Sequence, residues 1–296
     1  MAQGFYHRID QLRGEVSLSL FVLCLLPLGA SPLGENASLF GDSESSIHPQ
    51  FDLGEEGLNR ASASASYYEG LTLERAGMID DALEAYETAF RAAPSQQRLA
   101  HRAADLAGQF RDIDRGLSIL EENYRRNPSA PDAYLRLSAY LATYHENRNE
   151  RLERSLEVLQ EASDKFPNQP EVYQKLIEAL LLRQERAEAE AVLARAMAQP
   201  SEDPQYWVEI ARIAPLLHPV PRREGNDLVN GLYEKAFALS GGDLAIGTRV
   251  GDFFRITEQY DKARAVYEKV IAGHPEALEV REKLAAIFAA LEDSEM

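Results

Sequence analysis

One spacing constrains this chain more than anything else in it: a pattern of small, apolar and proline residues that returns roughly every 34 residues between positions 61 and 292, a period that marks a repeat architecture. Pro94 and Pro128 stand one period apart, Pro167 follows slightly late, and Pro275 lies one period beyond Gly241. The first unit reads Gly70-x2-Leu73, then Ala82-x3-Tyr86-x2-Ala89, then Pro94. The second is the weakest, with Ala103, Ala104 and Ala107 ahead of Leu120 and Pro128. The third has Tyr134-x2-Leu137-x3-Leu141, then Leu159-x2-Ala162 and Pro167; the fourth has Tyr173-x2-Leu176 and Ala189-x3-Leu193-x2-Ala196. Trp207-x2-Ile210-Ala211 with Tyr233-x2-Ala236 makes the fifth, and Gly251-x2-Phe254 with Ala263-x3-Tyr267 and Pro275 the sixth.

The spacing has a physical reason. Apolar residues at i, i+3, i+4 and i+7 give each of two short helices per unit one apolar face. Gly70, Ala82, Ala189, Ala211 and Ala263 are small enough to let paired helices approach, and Tyr86, Trp207, Tyr233 and Tyr267 fill the space beside them. Proline ends the second helix and turns the chain into the next unit. No unit covers its apolar face alone, so stability comes from stacking on neighbours. Residues 278–291 repeat the first helix through Leu284, Ala285 and Phe288, and acidic residues follow, the pattern of a solubilising cap.

These residues resemble the tetratricopeptide repeat, whose pattern is W-x2-L-G-x2-Y…A-x3-F…P within each unit. The resemblance implies an all-α fold: a right-handed superhelical solenoid of antiparallel helix pairs, about six repeats plus a C-terminal capping helix. Glu69, Ala100 and Gly247 stand where the pattern has large apolar residues, which predicts either looser packing there or unit boundaries shifted by a residue or two.

Upstream of the repeats the chain changes character. Val16–Leu28 is an uncharged apolar run of 13 residues, preceded by Arg8 and Arg13 and followed by Gly29-Ala30-Ser31. A membrane-spanning helix needs about 20 such residues, so the run fits the core of an export signal cut after Ala30 or Ser31. Asp10 and Glu15, which offset the basic residues, and Pro32 close to the cut depart from that pattern, and a short uncleaved anchor over residues 16–29 is the alternative. Residues 31–57 are rich in Ser, Gly and acids and hold no Lys or Arg, the composition of a flexible tether. The expected organisation is an export signal over 1–30, an acidic tether over 31–57, the solenoid over 58–292 and an acidic tail over 293–296.

The net charge is −17, from 48 acidic and 31 basic residues. Such a field repels a phosphate backbone and argues against nucleic acid as a partner. The lone cysteine, Cys24, excludes an internal disulfide framework. No P-loop, G-x-G-x-x-G, HExxH or G-x-S-x-G motif occurs, and the six histidines have no metal-ligand spacing. His101 is expected to be solvated on a first helix and His218 to belong to a plain loop. The expectation is therefore no enzyme, no cofactor, no metal and no small-molecule substrate. Units three and five carry insertions near 143–154 and 215–230, both between the two helices of a unit, so both extra loops are expected on the same edge.

In the family, first helices line a concave groove whose non-core residues meet the partner. That implies a partner-binding set of Tyr67, Leu71, His101, Asp105, Leu135, Ala139, Gln174, Glu178, Val208, Arg212, Thr248 and Asp252. The mixture lacks the paired Lys and Asn with which relatives clamp acidic chaperone C-termini. The functional expectation is a protein-interaction scaffold, exported to the periplasm or cell envelope, holding a protein or peptide in this groove, with membrane contact only through an uncleaved N-terminus. Two alternatives are a structural component of an envelope or secretion assembly, and a half-repeat RNA-processing scaffold of the kind Ala263–Pro275 resembles; the charge and the export signal oppose the latter.

Overall fold

Thirteen α-helices follow one another in the computed structural model, which describes residues 54–144 and 148–295: α1 (Gly54–Arg75), α2 (Ile79–Ala92), α3 (Gln97–Gln109), α4 (Ile113–Arg126), α5 (Pro131–Thr143), α6 (Arg148–Lys165), α7 (Pro170–Leu182), α8 (Arg186–Met197), α9 (Pro204–Ile213), α10 (Asp227–Leu239), α11 (Leu244–Ile256), α12 (Tyr260–Gly273) and α13 (Leu278–Glu295). A short 3-10 turn, Ala214–Leu216, extends α9, and no strand occurs among the described residues. Most helices pack mainly on the one before and the one after, and α5, α7, α9 and α11 also touch in sequence as a row of odd helices, α9 meeting α7 and α11 more than α8. Six helix pairs and a single closing helix make a repeat solenoid, as the period predicts.

The two kinds of turn have different causes. Between the helices of repeats one, two, four and six, the chain reverses through one left-handed residue: Gly77 (φ 77°), Arg111 (64°), Gln184 (64°) and Glu258 (59°). The next residue's N–H then donates five residues back, as from Met78 to Leu73 O at 2.9 Å and from Gln259 to Phe254 O at 2.8 Å, satisfying an orphan carbonyl at the helix end. Only Gly77 adopts that geometry at no steric cost. Between repeats, Ala93, Asn127 and His274 each precede a proline in non-helical geometry, because proline's ring clashes with a helical residue before it.

Rings against small residues make the core. Tyr86, Tyr134, Tyr173, Tyr267 and Trp207 are all buried. A Cβ on Gly70 would lie 2.6 Å from the Tyr86 ring, and one on Gly251 would collide with Tyr267, so these glycines are where the second helix closes on the first. Ala82, Ala189, Ala211 and Ala263 are fully enclosed. Looser packing at Ala100 and Gly247 is not found: Ala100 is fully buried, and a Cβ on Gly247 would strike Val270 and lie 3.1 Å from Phe237. At Gly247, Val270 and Phe237 occupy the space the large residue would take.

Residues 1–53, with the apolar run and nearly all of the tether, lie outside the described residues. Helix α1 starts at Gly54, inside the expected tether, because Glu55 and Glu56 suit the positive end of a helix and an Ala/Ser run follows. Residues 293–295 continue α13, since nothing after Leu291 breaks a helix. Residues 148–154 of the first insertion belong to α6, which runs 18 residues against 12 to 14 for the other even helices, and the Arg151 guanidinium ties it to Tyr144 O at 3.1 Å. The second insertion does form a loop, over residues 217–226, but the loop is fastened to the next repeat. Arg223 N–H donates to Thr257 O at 2.8 Å, and Arg222 and Arg223 each reach Glu258 at 3.0 Å.

Ala263→Leu is expected to destabilise the array by about 1–3 kcal/mol, because the added methylenes have no space beside α11. Thermal unfolding of this variant and of Ala82→Leu checks it; midpoints unchanged in both would mean these alanines are not at helix crossings.

Candidate functional site

The odd helices carry the residues implied for partner binding in two registers. Tyr67, His101, Leu135, Gln174, Val208 and Thr248 follow one core position, and Leu71, Asp105, Ala139, Glu178, Arg212 and Asp252 come four residues later, one helical turn on. All sit on α1, α3, α5, α7, α9 or α11, and eleven of the twelve are half-buried or exposed. Val208 is the exception. Helix α9 packs on both α7 and α11, and the Val208 side chain, only 4% exposed, is covered within that contact.

The registers are bound together by a third that the family comparison does not pick out. The residue after the first register is basic in most units: Arg102, Arg136, Lys175, Arg249 and, on α13, Lys283. Most of these reach back to an acid on the preceding odd helix. Arg102 pairs with Glu74, Arg136 with Asp105 and Lys283 with Asp252 at 2.8 Å. Arg249 donates to Gln205 Oε1 at 2.8 Å and lies 3.7 Å from Glu209. Lys175, whose preceding helix offers Ala139 instead of an acid, pairs within its own helix with Glu178 at 2.9 Å. Between α7 and α9 the base comes from the second register and the acceptor from the first: Arg212 donates to Gln174 Oε1 at 2.8 Å. The α5 to α7 junction relies instead on Leu135, half-buried and apolar, which packs into the core clusters on both sides.

Buried tyrosines extend these braces inward. Tyr86 donates its hydroxyl to Glu74 at 2.7 Å, and Tyr267 donates to Asp252 at 2.8 Å. Burial and the Glu74 carboxylate push the Tyr86 phenol up to about 12. Burial alone would raise the Asp252 carboxyl, but hydrogen bonds from Lys283 and Tyr267 outweigh it and hold the group below the ordinary 3.8. Burial likewise works upward on Glu74, and Tyr86 and Arg102 together outweigh it and lower the group. Asp105 and Asp252 are therefore committed first to joining repeats.

His101 differs from expectation. Its side chain is 16% exposed, with Nδ1 3.7 Å from Asp132, and Nε2 is enclosed without a hydrogen-bond partner among the described residues. Burial holds the ring's pKa below 6.5, with Asp132 pulling upward and Arg136 downward. Placing this ring needs α5, a whole repeat further along, so no local signal reveals it. His218 is half-buried in the loop after the 3-10 turn, as a plain loop residue would be. Among the described residues no group of three or more His, Cys, Asp or Glu side chains is placed to hold a metal ion, and no helix is long and apolar enough to cross a membrane.

Residues 148–212 match a family model described as "Tetratricopeptide repeat". A search of curated proteins returns no match. Solved structures similar to this chain include a thermophilic TPR protein of Thermus thermophilus (19% identity over 77% of this chain and 99% of that one, TM-score 0.33). Another is PilF of Pseudomonas aeruginosa, at 16% identity over 77% and 99% of the two chains with a TM-score of 0.37. YrrB, described as a TPR protein with an unusual peptide-binding site, is 14% identical over 68% and 98%, with a TM-score of 0.33.

The lowered carboxyls make stability depend on pH with a definite sign. Groups whose folded pKa is depressed stabilise the fold above their unfolded pKa, about 4, and lose that contribution as pH falls through the folded value. Urea denaturation is expected to show wild-type stability falling below about pH 4. The Glu74→Gln, Asp252→Asn double variant is expected to be weaker at pH 6 and to fall less steeply in acid. An identical slope in wild type and variant would remove these two acids from the account.

Proposed function

Because this chain is a tetratricopeptide-repeat protein, we propose that it is a non-enzymatic scaffold, exported to the periplasm or cell envelope, that binds a protein or peptide along the row of odd helices. Binding of protein partners is what the fold implies; the face and the compartment are the finer reading. One observation carries the face: most residues in matching registers of consecutive odd helices stay partly open to solvent, while contacts such as Arg136–Asp105, Arg212–Gln174 and Lys283–Asp252 join neighbouring odd helices. A surface fixed before the partner arrives loses less side-chain entropy on binding. Tyr67, whose ring lies 5.5 Å from that of Tyr86, together with Leu71 and Leu135 offers apolar area to a helix or an extended segment. Export is supported by the Val16–Leu28 run with the small residues after it.

Both parts can be tested. A partner retained from an envelope extract by the wild-type chain is expected to be reduced at least about fivefold, roughly 1 kcal/mol, by Tyr67→Ala combined with Leu135→Ala. Full retention by that variant would move the site off the odd helices. N-terminal sequencing of the native protein from fractionated cells is expected to start near Ser31 in a non-cytoplasmic fraction; an intact Met1 in the cytoplasm would overturn export.

A further inference from the structure

The last two repeats hold a cleft that the partner-binding row does not use. It lies between α10 and α12 over a floor from α11 and encloses about 540 Å³, within the usual range for a small-ligand site. Half-buried Phe237 with exposed Ala238 and Ala265 supply its apolar surface, and Val250, Phe254 and Val266, themselves buried, lie beneath. It stays open because the side chains facing across it are small, Ala238 and Ala265, and because its end is the Gly241–Gly242 turn. Both glycines have positive φ, 61° and 91°, and no atom within 4 Å of where a Cβ would be, so that end is bare backbone.

The charge at this cleft runs against the rest of the molecule. Its charged lining is Lys262, Lys269 and Glu234, two bases against one acid, so it carries one net positive charge in a chain whose total is −17. Lys262 is already matched, with Nζ 2.8 Å from Glu234. Lys269, two helical turns along α12, forms no ion pair among the described residues; its ammonium lies 5.9 Å from the centre of the Phe237 ring. An apolar trough with one unmatched cation at its rim suits a molecule with an aliphatic body and a single negative head.

We propose that this cleft binds an aliphatic carboxylate, its chain lying on Phe237, Ala238 and Ala265 and its carboxylate on the Lys269 ammonium. The repeat pattern does not signal such a ligand, which needs no partner on the odd helices. The carboxylate and the ammonium gain from pairing beside low-dielectric walls, and the cleft's apolar surface is removed from water at the same time.

Dodecanoate titrated calorimetrically into the full chain, below its micellar concentration, tests this, with dodecanol and dodecyltrimethylammonium as controls. Saturable one-to-one binding of dodecanoate is expected, weakened at least about tenfold by Lys269→Glu and lost on filling the cleft with Ala265→Phe. Ala265 is exposed, so that substitution leaves the packing intact, which circular dichroism checks. Absence of saturable binding would overturn the proposal. So would equal affinity for dodecanoate and the cationic amphiphile, or Lys269→Glu and Ala265→Phe both binding as wild type does.

Discussion

The fold depends on a ring from one helix closing against a small residue on its neighbour. Tyr86 against Gly70 and Tyr267 against Gly251 bring two backbones close enough to exclude water. A single pair of short helices has two apolar faces and only one partner for each, so it leaves one face wet. Stacking removes that exposed area, at roughly 25 cal/mol for each Å² of apolar surface buried. Every other feature, including the row of odd helices, follows from repeating this contact.

Electrostatics adds registration rather than bulk stability. Pairs such as Lys283–Asp252 and Arg212–Gln174 are partly solvated, and partly solvated pairs contribute little each. Their value lies in geometry: a base on one odd helix meets an acid or amide on the previous one, which fixes how far neighbouring repeats rotate. The tyrosines behind them, with hydroxyls bonded to Glu74 and Asp252, tie this surface lattice to the core. A net charge of −17 thus coexists with a face on which many charges are answered.

Besides the lengthened α6 of repeat three, the last two units carry two departures from the repeat. The loop over residues 217–226 bridges repeats five and six through Arg222, Arg223 and Glu258, and a buried Asn230–Gln259 pair, bonded at 2.9 Å, lies close by. Elsewhere in the same units, small residues at Ala238 and Ala265 leave a cleft rather than a filled contact. An array whose repeats are nearly equivalent acquires distinct surfaces only where the period is broken, and here it is broken twice within one pair of repeats.

The period, the order and number of helices, the proline-ended turns and the small-residue contacts were legible in the chain, because each is fixed by local rules: helical periodicity, steric clash before proline, and the size of one side chain. The fate of individual surface residues was not. Val208 is covered, His101 is largely enclosed, and Asp105 and Asp252 are engaged by bases from the following repeat or cap. Three left-handed turns at Arg111, Gln184 and Glu258 lack the glycine that would announce them. Sequence alone determined that short helices would pair and stack, since nothing else buries apolar faces spaced at i, i+3, i+4 and i+7. Which side chains the stack left open, and what charges faced them, was settled only in three dimensions, because each answer depends on a neighbour one repeat away.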